Sequence, residues 1–386
     1  MIEIKQVSTK KQRKQFVEFP LQLYKDHPNF VPPLYADEMS MFNSNYFYND
    51  QAKSVFFLAY RDGQVVGRIQ GILQMASNEK WGQERVRFTR FDAINDQEVA
   101  NALFNAVEEW GRCLGMKHIV GPLGYSDLER EGLLIEGFEH LATFEEQYNY
   151  DYYQALIENL GYQKEVDWLE HQIRMPAGKE KDIERIKSLS ARMLEKYNLH
   201  MGTAKNTSQF IKKYANEIFR VWDEAYSKIY GCVPFTEKVK KQMLEQFKMV
   251  LDMRFIKVIV DENEKLVAFG FAFPSIAKAV QKSGGRLTIP CLIRLLKAIK
   301  NPKILDLAIV GVVDEYRNKG VSMSLFAMMF DMLEQGSVEY METNLNLEDN
   351  YPILNMWRSF DTIQHKRRRC YIKPLVDDDT TATQAE

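Results

Sequence analysis

The apolar pattern of this chain writes one order of elements twice, and a repeated order restricts the fold more than any single segment does. In the first half, helical periodicity precedes two β-rich runs, Ser54–Tyr60 and Gln64–Leu73, joined by Arg61-Asp62-Gly63, where Asp-Gly is a strong hairpin signal. A strand at Arg87–Phe91 feeds a helix with Val99, Leu103, Val107 and Trp110 along one face, stopped at Gly115. A strand (His118–Pro122), a short helix (Tyr152–Leu160) and a strand (Val166–Met175) complete the set. The second half repeats it: helices over Ile183–Tyr197, Ser208–Ile229 and Thr236–Leu251, a hairpin over Phe255–Phe273, and a strand feeding a helix over Leu307–Gln335. Strand Val338–Asn344, helix Pro352–Phe360 and strand Ile363–Ile372 follow. Pro176–Asp182, with its glycine and alternating charges, reads as a linker. The predicted domains are therefore 1–176 and 183–374, with an acidic, Thr-rich tail at 375–386 expected to be disordered. A chain of 386 residues is also too long for one average core.

Composition narrows the class. The formal charge of −2, with no clearly basic domain, gives no footing for nucleic acid. Cys113, Cys232, Cys291 and Cys370 are far apart and share no metal-ligand spacing. With no signal peptide in front, reduced thiols in a cytoplasm are expected. The six histidines form no paired ligand motif, so no metal site is predicted. No run reaches eighteen apolar residues, which excludes an ordinary membrane span.

The chemistry concentrates in Asp306–Gln335. An apolar run, Leu307–Val313, leads through the charged turn Asp314–Gly320 into a helix carrying Met323, Phe326, Ala327, Phe330 and Leu333 on one stripe. The first turn of a helix offers unpaired N–H groups and a positive dipole end, and Gly320 allows close approach, so the local design suits an anion such as a pyrophosphate. The glycines of the dinucleotide fingerprint and of the P-loop are absent.

Arg317, Gly320 and Ser322 hold the places of a loop pattern of Arg or Gln, two residues, Gly, one residue, then Gly or Ala. The segment thereby resembles the coenzyme A loop of the GNAT acyltransferase superfamily, with Ser322 departing from it by a hydroxyl. The element order is also that of the GNAT fold. From residue 2 to about 374 the chain resembles two such domains in tandem, an α/β (α+β) architecture with a mixed central sheet flanked by helices in each, as in uncharacterised bacterial proteins of this type. The resemblance implies acetyl-CoA or another acyl-CoA as donor and a small-molecule or peptide amine as acceptor. It implies donor binding at Gly311, Val312, Val313, Arg317, Asn318, Lys319, Gly320, Val321 and Ser322, with the thioester carbonyl polarised where the fourth strand splays from the fifth, nearest Gly311 or Val312. In the first half the loop is Ala93-Ile94-Asn95-Asp96-Gln97-Glu98, without glycine and with carboxylates that repel phosphate, so the site is expected in the second half.

The usual acid of the family is a tyrosine, and laying its pattern on Asn350–Thr362 puts Trp357 there, with Ile353 and Asp361 replacing an alanine and a glycine. An indole N–H does not ionise near neutral pH. Tyr351 as acid, or Glu342 or Glu348 as base through water, are the stand-ins. The loss of the tyrosine keeps a non-catalytic binding protein open, and an aminoacyl-tRNA-dependent transferase is a further alternative; a homo-oligomer is left open too. In the run His365-Lys366-Arg367-Arg368-Arg369 alternate residues share a face. Solvated charge on an outer strand is the expected cause, and an anionic partner is the other reading. The insert at 274–303 carries Leu292, Ile293, Leu296 and Ile299 beside Arg294, Lys297 and Lys300. Its helix reads as packed on the domain, with a lid or a membrane-surface helix as the alternatives.

Overall fold

Caps written in the sequence start most of the helices. Thr9 and Gln12 form a capping box after β1 (Glu3–Gln6), so α1 (Lys10–Leu23) begins there. After α2 (Tyr35–Ser40), β2 (Ala52–Arg61) and β3 (Gln64–Gln74) form the expected hairpin, its turn residues Asp62 and Gly63 at φ 51° and 77°. Next come α3 (Met75–Trp81), β4 (Arg85–Ala93) and α4 (Gln97–Cys113), which buries Val99, Leu103 and Val107. The first half ends with β5 (His118–Gly121), β6 (Leu133–Glu136), α5 (Tyr152–Glu158) and β7 (Gln163–Arg174). The second runs α6 (Glu180–Lys196), β8 (His200–Met201), α7 (Thr207–Tyr226), α8 (Glu237–Phe247), β9 (Ile256–Val260), β10 (Leu266–Pro274), α9 (Ala277–Gln281) and α10 (Ile289–Lys300). It continues with β11 (Ile304–Val312), α11 (Asp314–Arg317), α12 (Ser322–Leu333), β12 (Tyr340–Thr343), β13 (Asn346–Leu347), α13 (Tyr351–Trp357) and β14 (Asp361–Pro374). This computed structural model describes residues 1–248, 250–317, 319–334 and 337–376.

The chain forms two compact units. The first holds Met1–Trp168, Val280–Leu287 and the chain from Lys366; the second holds Leu169–Ala279 and Thr288–His365. Each half of the chain gives its last long strand to the other half's sheet. In the first unit β1, β2, β3 and β4 form an antiparallel meander, β4 pairs parallel with β5, and β5 pairs antiparallel with β14 through Tyr371↔Gly121. In the second, β8, β9, β10 and β11 are antiparallel, β11 pairs parallel with β12, and β12 pairs antiparallel with β7. Periodicity reports what a strand is and not where it pairs, which is why the exchange was hidden. Ordered chain also runs past 374: Leu375 is buried and its N–H donates to the Lys117 carbonyl at 2.8 Å. Residues 377–386 of the expected tail lie outside the described residues.

Both units carry a bulge on the strand that enters the parallel pair. In the first, β4 places Arg90 and Phe91 opposite the single residue Ile69, and Arg90 takes φ 49°. In the second, β11 places Ala308 as the extra residue between the pairs Phe271↔Ile309 and Ala272↔Leu307. The same irregularity at the same place in both halves is the repeat expressed as geometry.

The first unit fills the space beside its bulge with charge. Arg90 grips Glu38 through Nε and Nη2 at 3.0–3.1 Å, Arg68 donates to Asp92 at 2.7 Å, and Tyr24 donates to Asp92 at 3.0 Å. Burial alone would raise the Glu38 carboxyl, but Arg90, Arg68 and Arg130 outweigh it and hold it below the ordinary value. The cavity beside these groups measures about 20 Å³, room for a water or two. Removing one member of a buried ion network leaves an uncompensated charge, so Glu38→Ala is expected to cost about 3–5 kcal/mol in urea unfolding.

The basic run is also interior, which corrects the expectation of solvated charge on an outer strand. Asp167, wholly buried, accepts from Arg369 at 2.8 and 3.0 Å and from Arg367 at 3.2 Å. Burial would raise its carboxyl, and the two arginines with Lys164 bring it below the ordinary range. Arg368 is fully buried and donates to the Gln147 carbonyl. These charges hold the strand in its sheet and are not displayed to an anion.

Candidate active site

Strand alternation divides the second unit's sheet into two unlike faces. Ile173, Leu305 and Met341 point to the core with Phe330, Leu333, Trp357 and Phe360. The opposite positions are polar: Glu170, Gln172 and Arg174 on β7, Tyr340 and Glu342 on β12, and Asp306 on β11. Asp306 and Glu342 are direct neighbours across the parallel pair, and the pairing ends one residue later at Leu307↔Thr343. The divergence therefore opens at Ala308, three to four residues before the expected Gly311 or Val312, because the bulge turns β11 away there.

His365, at the last β14 position in this unit, lies beside that rung. Its Nε2 is 2.8 Å from Glu342 Oε1 and its Nδ1 is 3.1 Å from the main-chain oxygen of Glu170. A carbonyl oxygen only accepts, and so does a carboxylate. All three side chains, Glu170, Glu342 and His365, are buried, and their ligating atoms lie within 4.8 Å of one another. No metal motif was legible in the sequence, yet the fold assembles this group from three strands. Because both ring nitrogens already face hydrogen-bond acceptors, the arrangement as it stands is one for holding and moving protons.

The surroundings carry the same electrostatic signature. Tyr340 is pushed up to about 12 by burial and by the charges of Glu342 and Asp306. Arg174 stacks its guanidinium 5.0 Å from the Tyr340 ring and donates to Gln172 at 2.7 Å. His171, whose Nδ1 is buried with no partner among the described residues, is lowered from 6.5 to about 4 by burial and by repulsion from His365, with Glu170 opposing. A folded value below the unfolded one means that the unfolded chain takes the proton first. The stability tied to neutral His171 is therefore complete above pH 6.5 and is lost as pH falls toward 4. At 1.36 kcal/mol per unit the loss is at most about 3 kcal/mol. His171→Gln is expected to flatten that limb in melting curves recorded at pH 7 and pH 4.5.

The proposed donor loop is built as follows. Gly311 pairs with Phe269, whose ring would meet an added Cβ at 2.6 Å, and Val312 pairs with Ala268. Val313 donates its N–H to Val267 at 3.0 Å. Arg317 pairs with Asp314 at 2.6 Å and Lys319 lies 3.5 Å from Glu315, its ammonium 4.6 Å from the Tyr316 ring centre. Gly320 takes φ 76°, a left-handed turn that favours glycine. Val321 is buried at the N-cap of α12, Ser322 opens the helix, and no side chain caps it. Among the described residues, no acceptor engages the N–H groups of Gly320 and Val321. Asn318 lies outside the described residues. In the first unit the corresponding helix start is occupied: Asp96 accepts from the Glu98 and Val99 amides and pairs with Arg61 at 2.6 Å.

Of the stand-in acids and bases, Glu342 is in the polar cluster. Tyr351 is 66 % exposed at the start of α13, and Glu348 is half-buried in the turn before it. Trp357, at the usual tyrosine position, belongs to the core and donates its indole N–H to Asn346 at 2.9 Å. His365, Glu170, Asp306 and Arg174 were missed as site residues. Asp306 had a signal, a carboxylate inside an otherwise apolar strand; His365 had none, being read as part of the basic run.

This architecture is a pair of GNAT-type folds in tandem. It superposes on a tandem GNAT protein from the clavulanic acid biosynthesis pathway with a TM-score of 0.55, at 13 % identity, over 98 % of this chain and all of that one. It also superposes on a GCN5-related N-acetyltransferase from Sphaerobacter thermophilus with a TM-score of 0.52, at 11 % identity, over 97 % and 96 % of the two chains. In sequence, the chain is 28 % identical over 377 residues to Protein YghO of Escherichia coli K12, covering 94 % of this chain and 93 % of that protein. It is 27 % identical over 383 residues to the bacterial ceramide synthase of Caulobacter vibrioides, covering 96 % of each. No family model matches the sequence. Among the described residues, no helix is long and apolar enough to cross a membrane.

Proposed function

We propose that the chain is an acyl-CoA-dependent N-acyltransferase and that its second unit carries the reaction. The observation that supports this most is the placing of Glu342 and His365 one rung before β11 and β12 part. In this reading the acyl-CoA pyrophosphate rests on the first-turn amides of α12 at Gly320–Ser322, and main-chain N–H groups of β11 beyond Ala308 polarise the thioester carbonyl. An acceptor ammonium is drawn to a face rich in carboxylates and gives a proton to Glu342. The neutral nitrogen attacks the carbonyl carbon, the C–N bond forms and the C–S bond breaks. Of the two protons the ammonium sheds, one passes by way of the Glu342–His365 pair to the departing sulfur and the other leaves to solvent. Asp96 and the absence of glycine support a first unit that does not hold the donor.

The Caulobacter relative is named a ceramide synthase, and ceramide is an N-acylated long-chain amine, so amide formation on such an amine is the acceptor class to try first. The test is release of free thiol from acyl-CoAs of acetyl to palmitoyl length, with sphinganine and short amines as acceptors. Turnover with any pair supports the reading. Donor binding without turnover for all of them would favour a non-catalytic binding protein, in keeping with Trp357 at the tyrosine position.

A further inference from the structure

The insert helix α10 shows two apolar faces where a surface helix needs one. Its inner side is held in place: Cys291 is fully buried with its thiol toward the Ala279 carbonyl, and Arg254 donates to the carbonyls of Ile299 and Lys300 at the far end. Its outer side carries Ile289, Leu292, Ile293 and Leu296, which are 76, 45, 50 and 68 % exposed. Spaced three, four and seven apart, they form one stripe along the helix. Scattered exposed apolar residues need no explanation, but a continuous stripe does.

The charge around the stripe selects what covers it. Residues 288–303, the part of the insert in the second unit, hold four lysines and arginines and no aspartate or glutamate, in a chain whose formal charge is −2. Lys297 and Lys300 are exposed and flank the stripe. We propose that α10 is an interfacial helix that seats its outer stripe in the surface of an anionic lipid bilayer, with Lys297 and Lys300 at the level of the headgroups. Twelve residues span roughly 18 Å as a helix, too short to cross a bilayer and suited to lie on one. Long basic side chains place their ammonium in the headgroups while their stems stay apolar, which fits a stripe bordered by lysine. The helix is also preformed: Thr288 caps it by accepting from the Cys291 amide, so docking requires no folding step. Joined to the acyl-transfer reading, on which this last step alone rests, the helix makes the substrate class amphiphilic, an amine or acyl chain drawn from the lipid surface.

The test uses the full-length protein and vesicles, with no activity assay, so that it stands apart from the transferase reading. Co-sedimentation with phosphatidylcholine vesicles containing 30 % phosphatidylglycerol is expected, with at least tenfold weaker binding to phosphatidylcholine alone and release by high salt. Leu292→Glu with Leu296→Glu should lower partition at least tenfold with the melting temperature unchanged, and Lys297→Glu with Lys300→Glu should remove the preference for the anionic lipid. Absence of vesicle binding, or binding indifferent to phosphatidylglycerol, would overturn the proposal. So would a dimer in light scattering that Leu296→Glu splits, since a second copy would then be the occupant.

Discussion

His365→Gln and Glu342→Gln are each expected to lower kcat by about 10²- to 10⁴-fold at neutral pH with the acyl-CoA Kd unchanged, the range that a positioned acid–base group supplies. Each side chain is the other's partner at 2.8 Å, so the two should behave as one device. The double variant is then expected to be little worse than either single one. A purely architectural role predicts something else, because breaking a buried pair destabilises the fold and would lower the melting temperature and donor binding together. The pH profile separates the cases further. Once pH exceeds the acceptor amine's own pKa the nitrogen arrives neutral and has one proton to shed instead of two, so the part of the Glu342→Gln deficit that comes from the first deprotonation should disappear as pH rises. Wild-type kcat in both variants, with a donor that turns over, would remove the pair from the mechanism.

The parts of this design that were legible in the sequence are the local ones. Asp62-Gly63 announced a left-handed hairpin turn, and the Val99–Leu103–Val107 stripe a packed helix. Both are found. Illegible were the relations that depend on which strands become neighbours. Glu342 was a named candidate because a carboxylate on a strand is visible, but its partner His365 arrives on β14, and strand pairing rather than spacing brings them together. The basic run shows the same limit with the sign reversed. Composition cannot separate a solvated arginine from a buried one, and here one buried carboxylate, Asp167, takes up both Arg367 and Arg369 from 200 and 202 residues away. The parting of β11 and β12 follows from the bulge at Ala308, which turns β11 away and which strand periodicity does not show. In each case the missing knowledge is tertiary.

Gly320→Glu is expected to weaken acyl-CoA binding by more than about 100-fold in calorimetry, since two effects act at one position. A side chain at φ 76° is strained by roughly 1–2 kcal/mol, and a carboxylate at the mouth of α12 meets the pyrophosphate with like charge where the helix would otherwise offer amides and a positive end. Gly320→Ala isolates the first effect. An added Cβ there meets Met193, whose methyl is nearest at 3.1 Å and is the tip of a flexible side chain, so Gly320→Ala is expected to cost about 1–2 kcal/mol of stability and to leave donor binding within a few-fold. The first unit supplies the control, because Asp96 already does to α4 what the glutamate would do to α12: its carboxylate takes two amides and an arginine. Asn95→Glu should therefore leave donor binding untouched, while Asp96→Ala costs about 0.5–2 kcal/mol of stability through the lost cap and still creates no second donor site. If Gly320→Glu bound acyl-CoA as tightly as the parent, the donor would not be resting on the amides of α12, and the asymmetry between the two halves would need another cause.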